Sequence, residues 1–263
     1  MRRLLAAWLV APVLAAQTAL PPPLREVGID QRLNARLPLE LTFRDESGAA
    51  VALKTYFNRR PVILSLVYYE CPMLCTMVLN GLLKTLRTIN LDVGRDFEVL
   101  TVSFDPNETH ELAAAKKQSY IERYGRPTGA AGWHFLTGDA EAIRQLTQAV
   151  GFRYKYDPAA NQFAHASAIM VLTPDGRLAR YLYGIEYPPR DLRLALVEAS
   201  AGKIGTPVDQ VLLYCFHYDP ATGKYSLLVM NVLRAAGIAT VLALGVFLLA
   251  MFRRDRRKKF EPV

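Results

Sequence analysis

From Val62 to Tyr69 the chain reads Val-Ile-Leu-Ser-Leu-Val-Tyr-Tyr, rich in β-branched and aromatic residues and almost without polar interruption. A strand with one wet face alternates apolar and polar positions, whereas a nearly continuous run of this length predicts a strand buried on both faces. The period then changes. Leu74, Met77, Val78, Leu82 and Leu86 recur at helical spacing, and Pro72 suits a first helical turn, where its missing N–H costs nothing. Asp96 to Phe104 is a second buried strand, and Asp105-Pro106-Asn-Glu-Thr109 is a turn capping a helix from about His110 to Tyr124. Strand, helix and strand in this order predict a right-handed βαβ unit.

Ahead of this unit, Leu37, Leu39, Leu41 and Phe43 alternate with less apolar neighbours, and Asp45-Glu-Ser-Gly48 closes the run as a turn, so a hairpin opens the domain. Thr55-Tyr-Phe57 leads into the Val62 strand. After it come a short strand, Trp133 to Leu136, a helix capped by Asp139 and ending near Val150, and an extended stretch from Phe152 to Tyr156. Ala164 to Leu172 reads as one strand, Pro174-Asp-Gly176 as a turn, and Leu178 to Tyr183 as the antiparallel partner. Asp191 to Ser200 is the last helix of the domain. This ββ-βαβαβ-ββα order is an α/β, thioredoxin-like arrangement with an N-terminal β-hairpin.

The ends carry a different pattern. Residues 1–16 have a charged start, a short apolar core and small residues where a signal peptidase would cut, which predicts a secretory signal peptide. Residues 17–25 include Pro21-Pro-Pro23 and read as a stiff linker. Ala235 to Phe252 is 18 residues without a charge, followed at once by the basic run from Arg253 to Lys259. That predicts a transmembrane helix at 235–252 and a cytoplasmic tail at 253–263, with 205–234 as a juxtamembrane segment. The domain at 26–204 then faces the periplasm from the inner (cytoplasmic) membrane.

Charge agrees with this division. The formal net charge is +8, but two of those charges are Arg2 and Arg3 and a net four lie between Arg253 and Glu261. The remainder is nearly neutral, which excludes nucleic acid as a partner.

Two of the three cysteines, Cys71 and Cys75, stand i, i+4 where the Val62 strand passes into its helix. Unpaired N–H groups and the positive end of the helix dipole favour a thiolate there, and the second thiol lies one turn along the same face. Two buried core thiols or a structural disulfide are the plainer readings. Placement beyond the end of a central strand, where open α/β sheets bind ligands, favours a redox or metal role. Thioredoxin-type redox motifs have two residues between their cysteines and this chain has three. That spacing can turn both sulfurs toward one soft ion such as Cu(I).

Tyr69-Glu-Cys71-Pro-Met-Leu-Cys75, Ser103-Phe-Asp105-Pro106, His165 ahead of a strand, and Pro174-Asp-Gly176 together resemble the Sco/SenC family of copper chaperones, over about residues 26 to 202. The resemblance implies a thioredoxin-like domain that binds one copper ion, Cu(I) or Cu(II), through Cys71, Cys75 and His165. It also implies assembly of the dinuclear copper centre of cytochrome c oxidase subunit II, by copper delivery, by reduction of its cysteines, or both, with other periplasmic copper carriers as further partners. A thiol-disulfide oxidoreductase that never holds metal is the alternative. Relatives commonly carry Asp within the cysteine motif and Asp just before the histidine, where this chain has Met73 and Ala164.

Other side chains have two readings each. His110 and His134 read as surface residues and Met77 as core, while Met73, between the cysteines, is open. Asp105 is either an ordinary Asp-Pro turn residue or an acceptor near the cysteines. Cys215 and His217, two apart on an extended segment, are either a buried small hydrophobe and its neighbour or an auxiliary metal site.

Overall fold

The computed structural model describes residues 26–71, 73–158, 160–204, 218–219, 224–225 and 227–258. The chain divides into two units, one ending at Ile204 and the other beginning at Gly205.

In the first unit, strand β1 (Gly28–Ile29) precedes a hairpin of β2 (Thr42–Arg44) and β3 (Ala50–Ala52). Its turn is built by Asp45, whose Oδ1 accepts from the N–H of Ser47 and Ala49 and from the Ser47 hydroxyl. The hairpin is shorter than the alternation from Leu37 suggested, although Leu37 and Phe43 both reach the core. Strand β4 (Val62–Val67) follows, with all six residues buried. Helix α1 (Leu74–Thr88) leads to β5 (Glu98–Ser103), which pairs parallel to β4 from Val62 opposite Glu98 to Val67 opposite Ser103. Helix α2 (His110–Tyr124) ends at Gly125, whose φ of 72° is the left-handed cap conformation that glycine adopts without strain. Strand β6 (Trp133–Leu136), helix α3 (Ala140–Ala149), β7 (Phe152–Asp157), β8 (Gln162–His165), β9 (Ala168–Leu172), β10 (Leu178–Tyr183) and helix α4 (Pro189–Ser200) complete the unit.

The five-stranded sheet has the order β10-β9-β4-β5-β6, so β4 is its central strand. Burying each Val, Leu or Ile of such a strand is worth roughly 1.5–3 kcal/mol. The buried hydroxyls are paired within the sheet: Ser65 Oγ donates to Thr101 Oγ1 at 3.1 Å and Trp133 Nε1 to the same oxygen at 3.0 Å.

Three expectations need correction. The single strand from Ala164 to Leu172 is two strands in two sheets. β9 joins the central sheet, whereas β8 pairs antiparallel with β7 in the separate sheet β1-β7-β8. Ala166 and Ser167 make the break, and Gly184 N–H holds the Ser167 carbonyl at 2.9 Å. Met77 is 42% exposed. The buried face of α1 is carried by Cys75, Val78, Leu79, Leu82, Leu83 and Leu86. One turn beyond Met77, the backbone of Ile185 lies so close that a Cβ at Gly81 would sit 1.7 Å from its carbonyl oxygen. His134 is not a surface residue either. Its side chain is 18% exposed, packed at a tilt against the Tyr56 ring with centroids 4.4 Å apart, with Glu46 and Glu98 near its two nitrogens. Burial, then the nearby Lys117 charge, lower its pKa to about 4.

In the second unit, β11 (Tyr218–Asp219) pairs antiparallel with β12 (Lys224–Tyr225), and helix α5 runs from Leu227 to Lys258. Its stretch Arg234–Met251 has a mean hydropathy of 2.0 and is long and apolar enough to cross a membrane. The expected signal peptide, linker, Pro72 and the Cys215/His217 pair lie outside the described residues.

Candidate metal centre

The sheet ladder ends where Phe104 N–H donates to the Val67 carbonyl at 2.8 Å. The chain then turns through Tyr68, Tyr69 and Glu70, and Cys71 N–H donates to the Tyr68 carbonyl at 3.3 Å. Helix α1 starts at Leu74 with no side-chain cap from Met73, so its first N–H groups lack helical partners. The Cys71 sulfur takes part of that role, accepting from Cys75 N–H at 3.3 Å, while the Cys75 sulfur accepts from Tyr68 N–H in the preceding loop at 3.4 Å.

From the other sheet, the last residue of β8 brings His165 Nε2 to 3.2 Å from Cys75 Sγ. The ligand atoms of Cys71, Cys75 and His165 all lie within 4.8 Å of one another. Cys71 is 7% and Cys75 2% exposed, so the pair sits just beneath the surface rather than at an open strand end.

Electrostatics separate the two thiols. A hydrogen bond from Cys75 is the largest influence on Cys71, and burial opposes it. His165 and the backbone N–H groups of Cys75 and Met73 add to the lowering, and the Cys71 pKa falls to about 3. Burial, and then its donation to Cys71, raise the Cys75 thiol far above the ordinary range. The two shifts run in opposite directions, so Cys71 is the more readily ionised of the two thiols. The Tyr68 phenol beside them is also raised, by burial first and then by the sulfurs.

His165 needs no acidic neighbour to fix its orientation. Nδ1 lies 2.9 Å from the Ala166 carbonyl, which can only accept, so Nδ1 is the donor of that bond and Nε2 is the nitrogen turned toward the sulfurs. Aromatic rings hold its plane: Phe104 at 5.2 Å, Tyr68 at 5.9 Å and Phe152 at 6.3 Å. Backbone and rings thus orient the ligand that a carboxylate often orients elsewhere.

The remaining candidates fall outside the cluster. Met77 is two positions from Cys75, about 200° round the helix, Met73 precedes the first helical residue, and both are exposed. Asp105 serves its turn: Oδ1 accepts from Asn107 N–H and Nδ2, each at 2.9 Å. The carboxylate beneath the cysteine loop belongs to Glu108, in the turn before α2, and it supplies acceptors for N–H groups of Tyr69 and Glu70, which run past the end of the β4–β5 ladder.

A parallel-centred sheet with a dithiol at the exit of its central strand, joined by a distant imidazole, defines a thioredoxin-like protein with a Cys/Cys/His cluster able to bind a metal. The chain belongs to the SCO1/SenC family, whose model matches residues 30–198. It is 25% identical over 165 residues to the SCO1 protein homolog of Bacillus subtilis (strain 168), covering 61% of this chain and 80% of that protein. A putative electron transfer protein of Aquifex aeolicus VF5 is 28% identical with a TM-score of 0.58, over 65% of this chain and 96% of that one. Arabidopsis thaliana ScoI, solved with copper bound, shares the fold at 17% identity and a TM-score of 0.50, over 65% of this chain and 99% of that one.

Proposed function

We propose that this protein is a membrane-tethered copper chaperone that holds one copper ion through Cys71, Cys75 and His165. Its role is to help assemble the dinuclear copper centre of cytochrome c oxidase subunit II. The observation that carries this reading is the convergence of two sulfurs and one imidazole nitrogen within 4.8 Å. Two thiols and an imidazole are a soft donor set suited to Cu(I), and each sulfur also accepts a backbone N–H, Cys71 from Cys75 and Cys75 from Tyr68. The apolar stretch of α5 supports a single-pass tether, and the basic residues after it support an orientation with residues 26–204 in the periplasm. Residues 1–16 are assigned to a signal peptide and 17–25 to a linker on the sequence pattern alone.

A second reading, reduction of a partner's disulfide without metal, is supported by the Cys71 thiolate, since thiolates are the attacking species in exchange. Titration of the full chain in detergent with Cu(I) under a competing chelator separates the two. The chaperone reading expects one equivalent retained in the native protein and none in Cys71→Ala. Failure of the native chain to retain copper, or retention unaffected by that substitution, would overturn it.

A further inference from the structure

Glu108 stands in the turn before α2, and its side chain points back under the cysteine loop. One carboxylate oxygen accepts from Tyr69 N–H at 2.8 Å and from the Ser103 hydroxyl at 2.5 Å, and the other accepts from Glu70 N–H at 2.7 Å. The residue is only 9% exposed. Tyr69 and Glu70 are the two residues immediately before Cys71, beyond the last rung of the β4–β5 ladder. Burial raises the Glu108 pKa and the bonds from Ser103, Tyr69 and Glu70 oppose that rise, so three donors hold this carboxyl group in place.

The bonds that Cys71 itself makes are longer. Its N–H reaches the Tyr68 carbonyl at 3.3 Å and its sulfur receives Cys75 N–H at 3.3 Å. Cys75 is carried by a helix and His165 by a strand, so Cys71 is the ligand whose place depends on a loop. A disulfide needs its sulfurs at about 2.05 Å, whereas sharing a metal keeps them apart. Whatever fixes the backbone just before Cys71 therefore biases the choice between these two states.

We infer that Glu108 is a positioning residue that clamps the loop before Cys71 and holds the two cysteines in the parted, metal-ready arrangement. It thereby slows copper release and disfavours closure of the Cys71–Cys75 disulfide. The copper half of this inference rests on the function proposed above. The redox half does not: the two thiols give two electrons and two protons to glutathione disulfide, forming the Cys71–Cys75 bond and two molecules of glutathione.

The experiment uses the full chain in detergent with Glu108→Gln, which keeps the shape and one acceptor oxygen, and Glu108→Ala, which keeps neither. Two quantities are read: the rate of Cu(I) transfer to a chelator, and the copper-free dithiol–disulfide equilibrium in glutathione buffers. Copper release should quicken about tenfold in Glu108→Ala and by a smaller factor in Glu108→Gln. The equilibrium should shift about tenfold toward the disulfide in Glu108→Ala, a potential more negative by about 30 mV. Folded variants with release rates and equilibria within twofold of the native protein would overturn the inference. So would a Glu108→Gln chain that fails to fold, since that marks a residue needed for the fold itself. If Glu108→Ala alone fails to fold, Glu108→Gln decides through both readouts. If the native chain retains no copper, the proposed function fails and the glutathione equilibrium alone decides the part played by Glu108.

Discussion

His165 Nε2 lies 3.2 Å from Cys75 Sγ although ninety positions separate them in the chain. The contact joins helix α1 to the second sheet, because β8 leaves the line of β9 at Ala166 and Ser167 and pairs with β7 instead. Replacing His165 by Ala should leave the dithiol intact and weaken Cu(I) binding. Losing a residue that merely orients a ligand costs about 10–100-fold in affinity, so losing the ligand should cost at least that. Competition with a chelator of known affinity measures the change, and an affinity within threefold of the native value would remove His165 from the ligand set.

Copper and the disulfide should exclude each other. Only thiolates ligate, and joining Cys71 to Cys75 consumes both. Oxidised protein, passed over a desalting column after incubation with copper, should emerge without the ion and regain the capacity to hold one equivalent after reduction. Full copper occupancy in protein shown by mass to contain the disulfide would contradict the proposed ligation.

His134 should make stability depend on pH in a defined window. Its pKa is depressed from about 6.5 in the unfolded chain to about 4 in the fold, with Glu46, Glu98 and Lys117 as the charged groups facing it. Between these values the unfolded state binds more protons, so the contribution is fully present above pH 6.5 and is lost as pH falls toward 4. The loss amounts to about 3 kcal/mol. Burial of Glu98 raises its pKa and gives a slope of the opposite sign near its own titration, so the informative comparison is with His134→Phe. Urea midpoints measured from pH 7 to pH 4 should fall more steeply for the native chain than for that variant. Parallel curves would show that His134 does not carry the effect.

Gly81 is the point at which α1 admits the segment leading to Tyr187. A Cβ there would lie 1.7 Å from the Ile185 carbonyl oxygen, and Thr85 Oγ1 bonds the Tyr187 carbonyl one turn further on. Gly81→Ala should therefore destabilise the domain by about 1–3 kcal/mol despite the better helix propensity of alanine. Thermal denaturation measures it, and a variant as stable as the native chain would show that the 185–187 segment moves aside without cost.

Local punctuation made much of the fold legible. Asp139 announces the helix that follows, and in the fold its Oδ1 accepts from Ala142 N–H at 2.8 Å. The strand Trp133–Leu136 and the helix His110–Tyr124 lie where periodicity and turn residues put them. The split at Ala166 and Ser167 was not legible, because nothing in the apolar run from Ala164 to Leu172 marks a change of sheet. It is imposed by the pairing of β8 with β7 and by the bond from Gly184 N–H to the Ser167 carbonyl. Met77 was misplaced for a related reason: periodicity gives the angle of an apolar stripe, but not which border position a remote segment covers. At the site, Cys71 and Cys75 were conspicuous through their spacing. Glu108 was not, since a glutamate before a helix looks the same from the sequence whether it faces water or clamps a loop.

Because the Cys75 amide proton is held by Cys71 sulfur, the opening turn of α1 registers what that sulfur is doing. A thiolate accepts that proton strongly, a metal-bound sulfur has already given up part of its electron density, and a disulfide sulfur accepts poorly. Amide hydrogen exchange at this one residue is thus a gauge of cargo and oxidation state, readable without any label on the metal. The same change loosens or tightens a helix terminus at the surface. An empty, a loaded and an oxidised molecule consequently differ in the mechanics of their outermost turn, even where their sheets are identical.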